Sequence, residues 1–149
     1  MTGDDIGPGE RIKAVAAMEV LLRIWRQAVD CFPEDDLETI LVFLTVAAAS
    51  TSSHLRDPDL IVELDGGPLP DHLHRPISGR AVAEATGLAR ETVRRRIDAL
   101  VASGRLSRDS RGVRTISDTI SHHRNLEFVR FVIRELSAAP SRLARFDPA

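Results

Sequence analysis

Residues 75–117 read RPISGRAVAEATGLARETVRRRIDALVASGRLSRDSRGVRTIS, and the local signals along this stretch agree with one another. Ser78 stands at an N-cap, ahead of a short helix predicted over residues 79–86. Val82 of that helix faces inward, and Ala83 is small enough to let another helix cross. Gly87 supplies a turn position that often demands positive φ, and Leu88 brings the chain back to the core. A second helix is predicted over residues 90–103, because Val93, Ile97, Leu100 and Val101 recur at i, i+4, i+7 and i+8. Gly104 closes it. A strand then begins at Leu106 and Arg108, residues 109–112 turn, and residues 113–116 return as a second strand. Residues 75–77 offer a third short strand to this hairpin.

The same stretch stands apart in charge. The whole chain has a formal net charge of -2, which by itself argues against a nucleic-acid partner. That figure averages unlike parts: residues 1–74 carry five basic and fourteen acidic groups, residues 75–117 ten arginines against four carboxylates, and residues 118–149 five basic against four acidic. The three nets are -9, +6 and +1. A basic block inside an acidic chain points to a polyanion partner for that block alone.

Helix, glycine turn, helix and hairpin in this order resemble the winged helix-turn-helix domain of bacterial transcriptional regulators in the style of the MarR and GntR families. The resemblance is carried by Ala81-Val82-Ala83, Gly87-Leu88, Glu91-Thr92-Val93-Arg94-Arg95, Ile97, Leu100 and Gly104-Arg105-Leu106, and it covers 43 of 149 residues. It implies that the second helix enters the major groove of duplex DNA with its N-terminal outward residues on base edges. Arg90, Glu91, Arg94 and Arg95 are then the base-reading candidates, arginine for guanine and Glu91 for the cytosine amino group. Ser78, Arg80, Thr92 and Arg96 are placed for phosphates. In the wing, Arg111 beside a flexible Gly112 would reach the minor groove, with Arg108 and Arg114 along the backbone. Two positions depart from the family pattern. Ala89 replaces the usual Ser or Thr cap, and Arg96 replaces a small or apolar residue, so its stem is expected to pack while its head meets solvent or phosphate.

Working outward, residues 10–32 carry Val15, Met18, Leu22, Trp25, Val29 and Phe32 at helical spacings of three and four, a heptad-like seam that Pro33 ends. Asp35 or Asp36 caps a second helix over residues 37–53, apolar on most sides and therefore central. Residues 58–74, in which Leu60 to Leu64 are followed by Asp65-Gly66-Gly67-Pro68 and Pro70, read as a connector with one short strand or helical turn. A last helix is predicted over residues 118–138, with Ile120, Leu126, Phe128, Phe131 and Val132 among its apolar positions and Pro140 as its stop. The organisation is thus an N-terminal helical region (1–57), the connector, the winged helix-turn-helix (75–117) and a C-terminal helix (118–149). This is a mainly α fold with a small β-hairpin wing. Val15, Met18, Leu22, Trp25, Val29, Phe128, Phe131 and Val132 form the expected surface of a homodimer, which would present two recognition helices to adjacent half-sites.

Other classes fit less well. A length of 149 residues with 43% hydrophobic and 28% charged side chains suits one globular domain with helical extensions. The longest uncharged apolar run, residues 39–53, is too short to span a bilayer, and Asp4, Asp5 and Glu10 stand where a signal peptide would be basic. With a single cysteine, Cys31, the expectation is a cytoplasmic protein. No phosphate loop, HExxH or nucleophile elbow is present, so neither an enzyme nor a cofactor is expected. A chain without Tyr makes a poor stacking platform for single strands. Two alternatives stand beside the DNA reader: a winged helix used for protein contact, and a regulator gated by an unidentified small molecule or by a metal. Asp71, His72 and His74, as D-H-x-H, and His122-His123 are the candidate ligands for such a metal, if they converge in space.

Overall fold

In the computed structural model, which describes residues 6–64, 67–117, 119 and 122–147, the chain is mainly helical with one small antiparallel hairpin. It runs through α1 (Pro8–Cys31), α2 (Leu37–Thr51), α3 (Pro58–Leu64), α4 (Gly79–Thr86), α5 (Arg90–Ala102), β1 (Ser107–Asp109), β2 (Gly112–Arg114) and α6 (His123–Ala144). The expectations placed on Asp4, Asp5, Asp65, Gly66, Asp118 and Ile120 lie outside the described residues.

Helix α2 is the centre. Asp36 starts it, accepting from the backbone N–H of Thr39 at 2.8 Å and from its hydroxyl at 2.7 Å. Ile40, Val42, Phe43 and Val46 are buried and pack with Val82 and Ala83 of α4, Val93, Ile97 and Leu100 of α5, and Leu106 and Val113 of the hairpin. Each such aliphatic side chain contributes about 1.5–3 kcal/mol on burial, so truncating one of them, Ile40→Ala for instance, costs about 2–5 kcal/mol.

The quoted stretch folds around that helix. Ser78 Oγ accepts from the N–H of Ala81 at 3.1 Å, and Gly87, at φ 73°, ends α4 in the left-handed conformation that its lack of a Cβ permits. Helix α5 begins after Ala89 without a side-chain cap. The hairpin pairs Ser107 with Arg114, Arg108 with Val113 and Asp109 with Gly112 across a two-residue turn. The third strand expected over residues 75–77 shrinks to one bridge, in which Ile77 and Val113 exchange both backbone hydrogen bonds at 2.8 and 2.9 Å. Strand β2 stops at Arg114 because the next N–H, that of Thr115, turns to Ser50 Oγ on α2.

Helices α1 and α6 pair antiparallel, with Phe128 edge-on to Phe32 at 5.8 Å, Arg23 on Glu135 at 3.0 Å and Lys13 on Asp147. Of the strand or helical turn expected in the connector, the helical form is observed, in α3 and the 3₁₀ turn Asp71–Leu73, with another 3₁₀ turn, His54–Arg56, just before it. Two expectations are corrected here. Pro140 does not stop the last helix, which continues to Ala144. A proline costs a helix interior about 3 kcal/mol, but its fixed φ is itself helical, and packing on α1 with Glu135 gripping both Arg23 and Arg142 offsets the loss. Finally, Phe128 belongs to the core of the single chain rather than to a dimer surface, and Trp25 and Val132 lean against that same core. Phe131 is half-buried under the guanidinium of Arg134. Val15, Met18, Leu22 and Val29 remain exposed, between 37% and 66%. Among the described residues no helix is long and apolar enough to cross a membrane.

Candidate nucleic-acid interface

Helix α5 is aimed by what it buries and by what grips its flank. Val93, Ile97 and Leu100 face α2 and α4, so Arg90, Glu91, Arg94 and Arg95 are exposed on the far side, while Thr92 is half-buried. Arg96 sits between the two faces. Its guanidinium turns back to the start of α2, with Nη2 2.6 Å from Asp36 and 2.9 Å from Glu38. The expected phosphate role of Arg96 is therefore corrected: its stem packs as foreseen, but its head is held by carboxylates and orients α5 against α2.

That ion pair is one of a set built on the turn between α1 and α2. Asp35 takes Arg105 at 2.6 Å, and the Arg105 guanidinium lies over Phe43 at 4.7 Å and Phe32 at 5.5 Å. Glu34 takes Arg124 of α6 at 2.5 Å. A hydrogen bond from Arg124 holds the Glu34 carboxyl below its ordinary value of 4.5. Asp36 is held below 3.8, first by the Thr39 hydroxyl and then by the Thr39 N–H and the charge of Arg96. Glu34, Asp35, Asp36 and Glu38 thus clasp three arginines from distant parts of the chain.

Away from the clasp, a groove of about 420 Å³ opens between the start of α4, the outer face of α5 and the hairpin. Ser78, Arg80, Arg90, Arg94, Arg108 and Arg111 are among the residues lining it. Several of these arginines have acidic neighbours: Arg80 pairs with Glu84 at 2.8 Å, and Arg111 lies 3.6 Å from Asp109. Arg94 binds Glu91 through Nε and Nη2 and Asp98 through Nη1, while Arg108 takes the other oxygen of Asp98 at 2.6 Å. The pairing lowers the Glu91 carboxyl below its ordinary range and raises Arg94. Arg90 and Arg95 make no ion pair among the described residues. Arg114 is drawn off toward the connector, its Nη1 3.5 Å from the Asp71 carbonyl.

Gly112 is not the flexible hinge expected at the hairpin tip. It lies in the ladder at φ 144°, and a Cβ there would stand 2.4 Å from the Ile77 carbonyl oxygen, so the close approach of the hairpin to the start of α4 requires glycine. Asp109 Oδ1 accepts from the N–H of Arg111 at 2.7 Å and sets the turn itself.

His74 and Asp71 are engaged in holding the segment that follows the hairpin to the body. His74 is buried, Nε2 donates to the Leu69 carbonyl at 3.0 Å, and Nδ1 meets Thr115 Oγ1 at 2.9 Å. Asp71 accepts from the N–H of Ser117 at 2.6 Å. Among the described residues no three His, Cys, Asp or Glu side chains gather as a metal would need. Cys31 is buried at the end of α1 with Gln27 donating to its sulfur at 3.3 Å. Sequence reasoning missed Asp98, although its i+4 spacing from Arg94 on one helix was a readable signal. It also missed the four-carboxylate clasp, whose partners are too far off in sequence for any local pattern.

Comparison with protein-family models, with characterised proteins and with solved structures finds no match to this chain.

Proposed function

We propose that this chain is a sequence-specific duplex-DNA-binding transcriptional regulator that acts as a homodimer. The observation that carries the reading is the groove in which arginines of α4, α5 and the hairpin converge, with Arg90 and Arg95 in no ion pair among the described residues. The order α2, bridging Ile77, α4, α5, β1, β2 supports a winged helix-turn-helix, in which α5 reads the major groove and the Ser110-Arg111 turn follows the backbone or minor groove. Ser78 leaves the start of α4 turned toward the same groove, where a phosphate would meet backbone N–H groups.

The exposed side of α1 supports the dimer. Val20, Ala28 and Cys31 face the core, so α1 has a second apolar side in Val15, Met18, Leu22 and Val29. On α6, Val129, Ile133 and Leu136 are exposed at i, i+4 and i+7. A homodimer would present two α5 helices to half-sites, which in dimeric readers of this kind lie about one DNA turn, roughly 34 Å, apart. Leu22→Glu, which touches none of the core, is expected to give a monomer by sedimentation and to weaken operator binding.

A polarisation titration with random-sequence duplex at low salt tests the reading. Binding that weakens steeply with salt, followed by enrichment of a two-half-site sequence from a random library, is the expected result. A flat titration would return the chain to the class of protein-interaction modules.

A further inference from the structure

The carboxylate of Asp98 joins two elements of the groove. Its Oδ2 accepts from Arg94 Nη1 at 2.9 Å within α5, and its Oδ1 accepts from Arg108 Nη2 at 2.6 Å on β1. Arg94 turns its remaining edge onto Glu91, with Nε and Nη2 at 2.9 and 2.6 Å from the two oxygens. A line Glu91, Arg94, Asp98, Arg108 therefore runs along the outer face of α5 and across to the hairpin. Exposed ion pairs of this kind add little to stability, because water screens them and the side chains lose freedom. Their effect falls on what the arginines can do. Three of the five N–H donors of Arg94 are spent on its own helix, and Arg108 holds β1 at one angle to α5.

Resting on the DNA-binding reading above, we propose that Asp98 is a specificity-determining positioning residue, which holds Arg94 and Arg108 away from phosphate-only contact and fixes the hairpin against the recognition helix. Any duplex offers phosphates, and phosphate contacts carry no sequence information. A duplex draws on the full donor sets of Arg94 and Arg108 by competing with the Asp98 carboxylate, and base edges that fit the helix repay that competition where random sequence does not. Asp98 thus lowers affinity for the wrong partner more than for the right one.

The test uses the full chain carrying Asp98→Asn or Asp98→Glu, titrated with a random-sequence duplex and with the duplex that the unaltered protein enriches from a random library. Asp98→Asn should bind random duplex more tightly, with a log-log salt slope steeper by about 0.9 for each arginine released. Its affinity ratio between about 50 and 200 mM salt should accordingly widen about three- to twelvefold. Its preference for the enriched duplex should fall. Asp98→Glu, which restores the charge, should return slope and preference toward those of the unaltered protein, and melting curves of both variants should overlay the parent. Unchanged slope and preference in Asp98→Asn, or an equal loss on both duplexes, would overturn the proposal while leaving the DNA-binding reading in place. An unaltered protein that ignores duplex DNA at low salt would end both.

Discussion

Around the turn between α1 and α2, four carboxylates hold Arg96, Arg105 and Arg124, whereas in the groove arginines are exposed and either pair with carboxylates carried by α4, α5 and the hairpin themselves or make no ion pair. Arg95 and Arg96 are adjacent in sequence and belong to different regions. The 100° step between them on the helix sends one outward and the other to Asp36 and Glu38. Segment charge is therefore a poor guide to surface charge. Two of the ten arginines that make residues 75–117 basic, Arg96 and Arg105, are neutralised by carboxylates of the acidic N-terminal half. Opposed charge in the two halves serves partly to dock them together.

The largest effect is expected at the clasp. Asp35→Ala leaves the Arg105 guanidinium between Phe32 and Phe43 without its counter-ion, and for this part-buried pair the cost should approach the lower end of the about 3–5 kcal/mol of a fully buried one. Urea unfolding should show the midpoint falling accordingly, while duplex affinity of the folded protein stays near that of the parent. In the groove, Gly112→Ala forces a Cβ against the Ile77 carbonyl at a φ that alanine rarely adopts, a strain of about 1–3 kcal/mol. Here the expected signature is the reverse, a smaller stability loss with weakened duplex binding as the hairpin shifts.

Acid should reach the clasp next. Glu34 and Asp36 are held below their ordinary values in the folded chain, the first chiefly by the hydrogen bond from Arg124 and the second chiefly by that from Thr39. Groups of this sign stabilise the fold above their unfolded values and lose that contribution as pH falls through the lowered native ones. The urea midpoint should be level from neutrality to about pH 5 and decline below about pH 4. Glu34→Gln should flatten part of that decline, and a decline of the same size in the variant would remove Glu34 from the account.

What could be read from sequence divides along the same line. The Ser78 cap, the Gly87 turn and the bounds of α4 and α5 depend on residues within a turn or two of one another, and the expected helices match those observed to within a residue. The inward set Val93, Ile97 and Leu100 follows from the helical period alone. The head of Arg96 could not be placed that way, since its partner Glu38 is 58 residues distant, and Asp35 is 70 from Arg105. Pro140 looked like a stop because the packing that carries α6 past it comes from α1, at the other end of the chain. The inward turn of Phe128 escapes the sequence for a related reason. α1 and α6 each have more apolar surface than one contact needs, and periodicity does not say which stripe turns inward.

The most direct test of the account is the salt dependence of duplex binding for Arg90→Gln with Arg95→Gln, set beside Arg96→Gln. The double variant should lose about 0.9 from the log-log slope for each arginine that meets phosphate, or roughly ten- to a hundredfold in preference for the enriched duplex where it meets bases. Arg96→Gln should keep both slope and preference and lose only stability. Equal losses in the two variants, or a slope carried by Arg96, would contradict the division of the arginines into those that hold the fold and those that face the nucleic acid.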